Sequence, residues 1–189
     1  MKETIEKILR RSAEVHNQLA ENAESVLKFV NIILKHMQNG ATLYVMGNGG
    51  SAADAQHLAG ELVGRFERER QGLPCVALTT DTSVLTAVSN DYGGSAIFTR
   101  QVEALVKEGD IVLGISTSGN SQNVLEALEL ARKKGACTVG LTGEDGHKME
   151  AFCDGILCVP AHKTARIQEA HGIIIHILCG ILEETLGGL

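Results

Sequence analysis

Apolar residues recur at three- and four-residue intervals through the first forty positions of the chain. Between Ile5 and Met37 they occupy positions 5, 8, 15, 19, 26, 30, 33 and 37, with Lys, Glu and Asn between them. This spacing is typical of an amphipathic α-helix, and it predicts either one long helix or two shorter ones. Because such a helix must bury its apolar stripe, we expect residues 1–40 to pack against a partner subunit.

From residue 41 onward, short apolar runs alternate with helical patterns. The runs predict five buried strands, at 42–46, 75–78, 111–115, 137–141 and 155–159. Helices are predicted from Ser51, near Ser83, over 121–134, weakly near Lys148, and over 164–186. This alternation favours an α/β fold, a doubly wound parallel sheet with helices on both faces. Ligands of such sheets bind at the carboxyl ends of the strands.

Length, charge and cysteine content narrow the class of protein. A chain of 189 residues suits one domain. The net charge of −6, with scattered basic residues, disfavours nucleic-acid binding. Residues 1–17 are charged throughout, unlike a signal peptide, and the apolar run 172–182 is shorter than the ~20 residues of a membrane span. Five cysteines without a CxxC pair suit a reducing compartment. We therefore expect a cytoplasmic protein that binds neither membrane nor nucleic acid.

A glycine-rich turn, Gly47-Asn48-Gly49-Gly50-Ser51, follows the first predicted strand. Glycines allow a ligand close to the backbone, and the free amides of the next helix form an anion site. Ser51 and Asp54 also fit a capping box. The turn matches the G-x-G-x-x-A pattern of dinucleotide sites, with Asp81 as the candidate ribose acceptor. A dinucleotide oxidoreductase is therefore one alternative, and a purely structural βα turn is another.

A hydroxyl-rich turn follows the third predicted strand. Its sequence is Ser116-Thr117-Ser118-Gly119-Asn120-Ser121, and it opens the next helix. Hydroxyl groups and helix-terminal amides together bind a phosphate monoester without a cation. A dinucleotide fold does not require this second turn. We therefore favour a phosphate site here over a serine-rich helix cap.

Two helices carry candidate acid–base and metal-binding side chains. His57, Glu61 and Arg65 follow one another at four-residue spacing and are expected on one helix face. On the last helix, Gln168 and His176 are eight residues apart, roughly 12 Å of helix rise. The structural alternatives are a surface His–Glu pair and a core histidine bonded to a carbonyl group. If His57, Glu61, Gln168 and His176 converge, they suit zinc, or a 1,2-proton shift beside a carbonyl.

The motifs in their order identify a family resemblance. They are GNGGSAADAQHLAGELVGRF, SNDYG, STSGNSQNV and TARIQEAHGIIIHILC. Together they resemble the phosphoheptose isomerases of the sugar-isomerase (SIS) superfamily over nearly the whole chain. STSGNS alone marks the superfamily, whereas the set His57, Glu61, Gln168 and His176 is much narrower. The resemblance implies a single SIS domain (41–189) after the helical segment, and interconversion of sedoheptulose 7-phosphate with glycero-manno-heptose 7-phosphate through an enediolate.

The resemblance also assigns roles to residues. It implies that Glu61 is the general base and His176 the general acid. It implies sugar contacts from Asn48, Gly49, Gly50, Ser51, Glu61, Arg65, Asn90, Asp91 and Gln168, and phosphate contacts from Ser116, Thr117, Ser118 and Ser121. Some members bind zinc through residues matching His57, Glu61, Gln168 and His176, without a nucleotide cofactor, and members are typically homotetramers.

Two qualifications accompany the resemblance. Ala165 replaces an Asp that some members carry, so one sugar contact would be missing. Within the superfamily, replication-initiator-associating members share several motifs but act by binding a protein. Their positions matching Glu61 and His176 are not Glu and His, so the pair in this chain favours catalysis over that non-catalytic alternative.

Overall fold

The structure, a computed structural model, describes residues 1–188. Five strands are present in this range: β1 Leu43–Gly47, β2 Cys75–Ala77, β3 Ile111–Ser116, β4 Cys137–Thr142 and β5 Gly155–Cys158. The α-helices of the same range are α1 Lys2–Glu21, α2 Ala23–Gln38, α3 Gly50–Val63, α4 Thr82–Tyr92, α5 Ala96–Leu105, α6 Gln122–Lys133 and α7 Thr164–Leu186. A 3₁₀ helix spans His147–Phe152. Leu189, the last residue of the expected 41–189 unit, lies outside the described residues.

The five strands form one parallel sheet in the order β2-β1-β3-β4-β5. This is the flavodoxin-like order of doubly wound folds, so the predicted α/β class is confirmed. The order reverses between β1 and β3, where Gly47 is registered with Ile115. Chain connections leave these two neighbouring strands toward opposite sides, which opens a crevice at their carboxyl ends. Both turns singled out in the sequence begin there.

Helices cover both faces of the sheet and bury two separate apolar clusters. One cluster joins α1, α2, α3 and α7 to the side chains of Leu43, Val45 and other strand residues. The other joins α5, α6 and the 3₁₀ helix to the opposite side, including Met46 and Val112. Alternate residues of a strand therefore point into different cores, and the strands are buried on both faces.

The N-terminal pattern forms two helices that meet at Asn22. Their stripe packs inward through residues that include Val15, Leu19, Val30 and Ile33. Ile5, Ile8 and Leu9, however, are 46–63% exposed. An apolar groove of about 300 Å³ continues this face between α1, α2 and the Ile173–Ile177 part of α7. The described chain thus leaves an apolar surface along three helices.

Helix α7 has the length and hydropathy of a membrane-spanning helix. It packs against α1, α2 and α3, and ten of its residues are buried, Glu183 among them. Core helices of soluble folds commonly share this composition, and α7 occupies such a place here. Its bounds match the predicted 164–186.

The segment after β2 differs from the sequence prediction. One short helix was expected near Ser83, but α4 and α5 are both present. Helix α4 contains Ser83 and is the expected helix, although it has no buried residue, whereas α5 was not predicted. Helix α5 buries Phe98 and Val102, and its Gln101 amide donates to the Leu78 carbonyl oxygen at 2.9 Å.

Candidate active site

The two turns that follow β1 and β3 face each other across the crevice. Asn48 of the first turn and Asn123 in the first turn of α6 exchange two amide hydrogen bonds, both 2.9 Å. Each side chain donates to the other, so the pair fixes the spacing between the turns. Sequence analysis did not identify Asn123, although it lies within the STSGNSQNV motif.

The glycines of the first turn permit a tight entry into α3. A Cβ on Gly47 would lie 2.7 Å from the Ser51 carbonyl oxygen, and Gly49, the N-cap, has φ of +56°. The expected capping box was wrong: Ser51 lies inside α3, buried, and no side chain caps this helix. The Ser51 and Ala52 amides donate instead to the Asn48 and Gly49 carbonyl oxygens at 3.0 and 3.1 Å, so no side chain competes with an anion at this helix terminus.

Gln168 reaches from α7 to this same turn. A Cβ on Gly50 would lie 2.2 Å from the Gln168 Nε2 atom, so the Gln168 amide lies directly over the Gly50 backbone. The structure therefore brings the last helix and the first turn together, as sequence spacing alone could not show.

Three hydroxyl groups of the second turn converge. The Ser116 Oγ lies 2.9 Å from the Ser121 Oγ and 3.5 Å from the Ser118 Oγ. Gly119 has φ of +61°, which curls the loop back on itself. Ser121 is the N-cap of α6 but makes no side-chain cap bond. The cluster thus offers hydroxyl donors beside uncapped helix amides, a suitable arrangement for phosphate. Thr117 lies in the same loop, half-buried.

Glu61, His57 and His176 form a contact group between α3 and α7. The His57 Nε2 lies 3.2 Å from the Glu61 Oε1 and 3.4 Å from the His176 Nε2. The two imidazole rings meet edge to face, with centroids 5.0 Å apart. The structure therefore brings together the predicted base, the predicted acid and one further histidine, from residues 119 apart in sequence.

His171, not His176, is the core histidine of α7. His176 is exposed in the described chain, whereas His171 is fully buried. The His171 Nε2 lies 3.2 Å from the Thr142 carbonyl oxygen and must donate to it. The other ring nitrogen, Nδ1, has no partner within residues 1–188. Burial lowers the pKa of His171 to about 4, although the bond to Thr142 opposes this.

Other predicted site residues lie apart from this group. Arg65 is not on the His57–Glu61 face, because α3 ends at Val63; its Nε lies 3.9 Å from Glu69. Asn90 and Asp91 lie exposed at the end of α4, and the Asn90 amide donates to the Asp91 carboxylate at 2.9 Å. None of these three side chains bonds to Glu61 or His176 in the described part of the chain.

The dinucleotide alternative loses its acidic acceptor. Asp81 is the N-cap of α4, and its carboxylate accepts the Val84 N–H at 3.0 Å. The carboxylate is thereby committed to the helix terminus and lies beyond the end of β2. A ribose acceptor needs its oxygens directed at the crevice instead.

Several residues near the site were missed by sequence reasoning. The Phe66 ring lies 5.6 Å from the His176 ring, centroid to centroid. Arg70 and Glu183 form an ion pair, both with almost completely buried side chains. Asp54, one turn before His57, has an Oδ2 atom without a partner among the described residues; burial raises its pKa, and His57 opposes this. For the ion pair, the available sequence signals were an arginine in a loop, Arg70, and a glutamate in an apolar helix, Glu183.

The donor atoms of the contact group also bear on metal binding. Tetrahedral zinc with nitrogen and oxygen ligands at ~2.0–2.1 Å places ligand atoms ~3.3 Å apart. The 3.2 Å and 3.4 Å separations around the His57 Nε2 are close to this spacing. Within residues 1–188, however, no group of three His, Cys, Asp or Glu side chains is arranged as a complete metal site. No hydrogen bond within these residues joins Gln168 to the three side chains.

Comparison with known proteins places the chain in a family. The SIS domain model matches residues 8–143. A phosphoheptose isomerase of Geobacter sulfurreducens is 58% identical over 166 residues, 88% of each chain. One from Nitratiruptor is 48% identical, over 98% of this chain and all of its own.

Solved structures agree with the sequence comparison. A phosphoheptose isomerase from Neisseria gonorrhoeae superimposes with a TM-score of 0.91 at 40% identity, covering 97% of this chain and 99% of its own. The Francisella tularensis phosphoheptose isomerase gives 0.92 at 37% identity, covering 97% and 98%. Similarity at this level extends over the helices, the sheet and both turns.

Proposed function

The chain belongs to the phosphoheptose isomerases of the SIS domain family, and we propose that it converts D-sedoheptulose 7-phosphate to D-glycero-D-manno-heptose 7-phosphate. It is an isomerase, and the family places it at the first step toward nucleotide-activated heptose. The observation that carries the proposal is the contact of Glu61 and His176 with His57, beside two phosphate-type turns. A non-catalytic SIS protein would not need this acid–base pair.

The substrate phosphate would bind at the second turn. Ser116, Ser118 and Ser121 supply hydroxyl donors, and the α6 terminus supplies amides and a favourable dipole. Thr117 belongs to the same loop. This arrangement supports a monoester phosphate as the anchor, which leaves the carbonyl end of the sugar to reach the Glu61–His176 group.

Glu61 and His176 would perform the proton transfers. The Glu61 carboxylate removes a C1 proton from the bound ketose, and the electrons of the C–H bond form the C1–C2 double bond of an enediolate. The His176 imidazole donates a proton to the C2 oxygen and accepts one from the C1 oxygen. Return of the carbon proton to C2 gives the aldose. A positioned carboxylate base and imidazole acid are suited to such a shift.

The remaining sugar contacts come from the first turn and its neighbours. Asn48, Gly49, Gly50 and Ser51 belong to the first turn, and the Gln168 amide lies over the Gly50 backbone. We also propose Arg65, Asn90 and Asp91 as sugar contacts. Their exposure supports this role, since they remain available to a ligand of this subunit or a neighbouring one.

His57, Glu61, Gln168 and His176 would hold a zinc ion. Two separations, from the His57 Nε2 to the Glu61 Oε1 and to the His176 Nε2, support this proposal. When bound, the ion would polarise the substrate carbonyl group. Glu61 would be a weaker base as a ligand, so the two roles compete. Metal analysis, with thermal stability measured for wild type and H57Q with and without zinc, tests this independently of turnover.

A homotetramer in the cytoplasm completes the proposal. The exposed apolar residues of α1 and the groove beside α7 support subunit contacts made by residues 1–40, with 41–189 as the phosphosugar-binding domain. Five free thiols support a reducing compartment. Sedimentation would give the subunit number. We propose no nucleotide cofactor, no nucleic-acid partner and no membrane association.

The deciding experiment follows heptose 7-phosphate formation by NMR. Purified protein receives sedoheptulose 7-phosphate with and without zinc, beside E61Q and H176Q variants. Turnover by wild type that is lost in both variants supports the isomerase and its acid–base pair. A folded, metal-replete wild type without turnover would contradict the proposal and favour a phosphosugar-binding or protein-binding role.

A further inference from the structure

A buried ion pair lies next to the C-terminal end of α3, the helix that carries Glu61. The Arg70 Nε is 3.2 Å from the Glu183 Oε1, and the two side chains are only 1% and 4% exposed. Glu183 is two helical turns beyond His176 on α7, and Arg70 is in the loop after α3. The pair therefore connects the helix of the acid to the segment that follows the base.

The Arg70 guanidinium fixes the end of α3 by donating to backbone carbonyl groups of that helix. The Arg70 Nη2 donates to the Glu61 carbonyl oxygen at 2.8 Å, and the Nη1 donates to that of Leu62 at 2.7 Å. The final carbonyls of a helix have no partner within the helix. One guanidinium thus holds the backbone of the proposed base and of its neighbour.

The Glu183 carboxylate fixes the loop beyond α3 by accepting hydrogen bonds from backbone amides of that loop. Its carboxylate accepts the N–H groups of Phe66, Glu67 and Arg68 at 2.9–3.0 Å. Burial would raise the pKa of Glu183, but these three amides and Arg70 lower it below the usual value. The carboxylate therefore remains charged and keeps its hold on the loop.

The loop that Glu183 holds contains Phe66, and Phe66 lies next to His176, the proposed acid. Its ring lies 5.6 Å from the His176 ring and passes close to Gly180, whose added Cβ would lie 3.7 Å from the Phe66 Cε1. A shift of the loop would therefore move the ring that borders His176. The same shift would release the carbonyl of Glu61.

We infer that Arg70 and Glu183 are positioning residues of the isomerase, which set the placement of Glu61 relative to His176 without touching the substrate. This inference rests on the proposed function. A purely structural ion pair would affect stability alone. A pair that holds both proton-transferring side chains also determines turnover, because displacements of about 1 Å can lower rates about 100-fold.

Two variants test the inference from opposite ends of the pair. R70K keeps the charge but loses the planar fork that spans two carbonyls. E183Q keeps the shape but directs an NH₂ group at backbone amides. D154N is the matched control, because the Asp154 carboxylate also accepts a backbone amide, that of Thr138 at 2.8 Å, but it lies just before β5 and its hydrogen bonds reach neither α3 nor α7.

We expect kcat to fall about 10- to 100-fold in R70K and E183Q, with KM changed less than about 3-fold. D154N should retain wild-type kcat. The second readout is the chemical shift of the His176 ring protons, assigned with H176Q, because the Phe66 ring current acts on them. These resonances should move in R70K and E183Q and stay in place in D154N.

Folded R70K or E183Q with wild-type kcat would overturn the inference, as would an equal loss in D154N. Absence of turnover in wild type would refute the proposed function instead. The His176 resonances then still decide: unmoved signals in the folded variants overturn the positioning role, and moved signals support it.

Discussion

Protonation of His171 should weaken the fold in acid. Its Nε2–H donates to Thr142, and its Nδ1 has no acceptor among the described residues. A second proton would therefore place a charge in the core without a partner. The pKa of His171 is about 4 in the folded chain and about 6.5 in the unfolded chain.

The direction of the change in stability with pH follows from proton binding by the two states. Below pH 6.5 the unfolded state binds more protons than the folded state at this site, so acid favours unfolding. The stabilising contribution is complete above pH 6.5 and is lost as pH falls toward 4. From these pKa values the loss is about 2 kcal/mol at pH 5 and about 3 kcal/mol at pH 4.

Urea unfolding of wild type and H171Q at several pH values between 8 and 4.5 measures this loss. The glutamine amide can donate to Thr142 but does not titrate. Wild type should lose about 2 kcal/mol more than H171Q between pH 8 and pH 5. H162Q is the control, since His162 is 82% exposed and should leave the wild-type pH dependence unchanged. Parallel pH dependences for wild type and H171Q would refute the reasoning.

Three further predictions concern backbone, cap and thiols. G50A should lower kcat/KM at least about tenfold by displacing Gln168, whereas G60A, with open space around its Cβ, should stabilise the chain by about 0.5–1 kcal/mol; turnover and thermal unfolding check both. D81A should cost about 1 kcal/mol by uncapping α4, and D81N only a few tenths, as measured by urea unfolding. Native thiols should react slowly with Ellman's reagent at pH 8, because burial raises their pKa values, to about 12 at Cys179; rapid reaction before unfolding would contradict this.

Much of the fold could be predicted because its strands and core helices have strong patterns. The runs that became β3 and β4, and the bounds of α7, follow directly from buried apolar residues. Helix α4 was predicted near Ser83 although it buries nothing, whereas α5 was missed, because this ten-residue helix buries only two apolar side chains, Phe98 and Val102. The end of α3 at Val63 was also beyond periodicity, since the Arg70 and Glu183 contacts that stabilise it come from distant residues.

The candidate site also contains features that the sequence could predict and features that it could not. The two turns could be predicted because glycines and hydroxyls are local signals. The contact of His57 with His176 depends on how α3 packs against α7, which no short window of sequence contains. Two assignments failed for physical reasons: Ser51 does not cap α3, because Gly49 already turns the chain, and Arg65 lies beyond the helix.

The position of α7 in the chain has a consequence for biosynthesis. This helix leaves the ribosome only after all five strands have been made, yet it fills the centre of the core shared by α1, α2 and α3. Synthesis at about 5–20 residues per second leaves that apolar face uncovered for seconds, a period in which chaperones can bind it. Because α7 also carries His176, the nascent chain closes its core and gains the second half of its proposed acid–base pair in a single docking event.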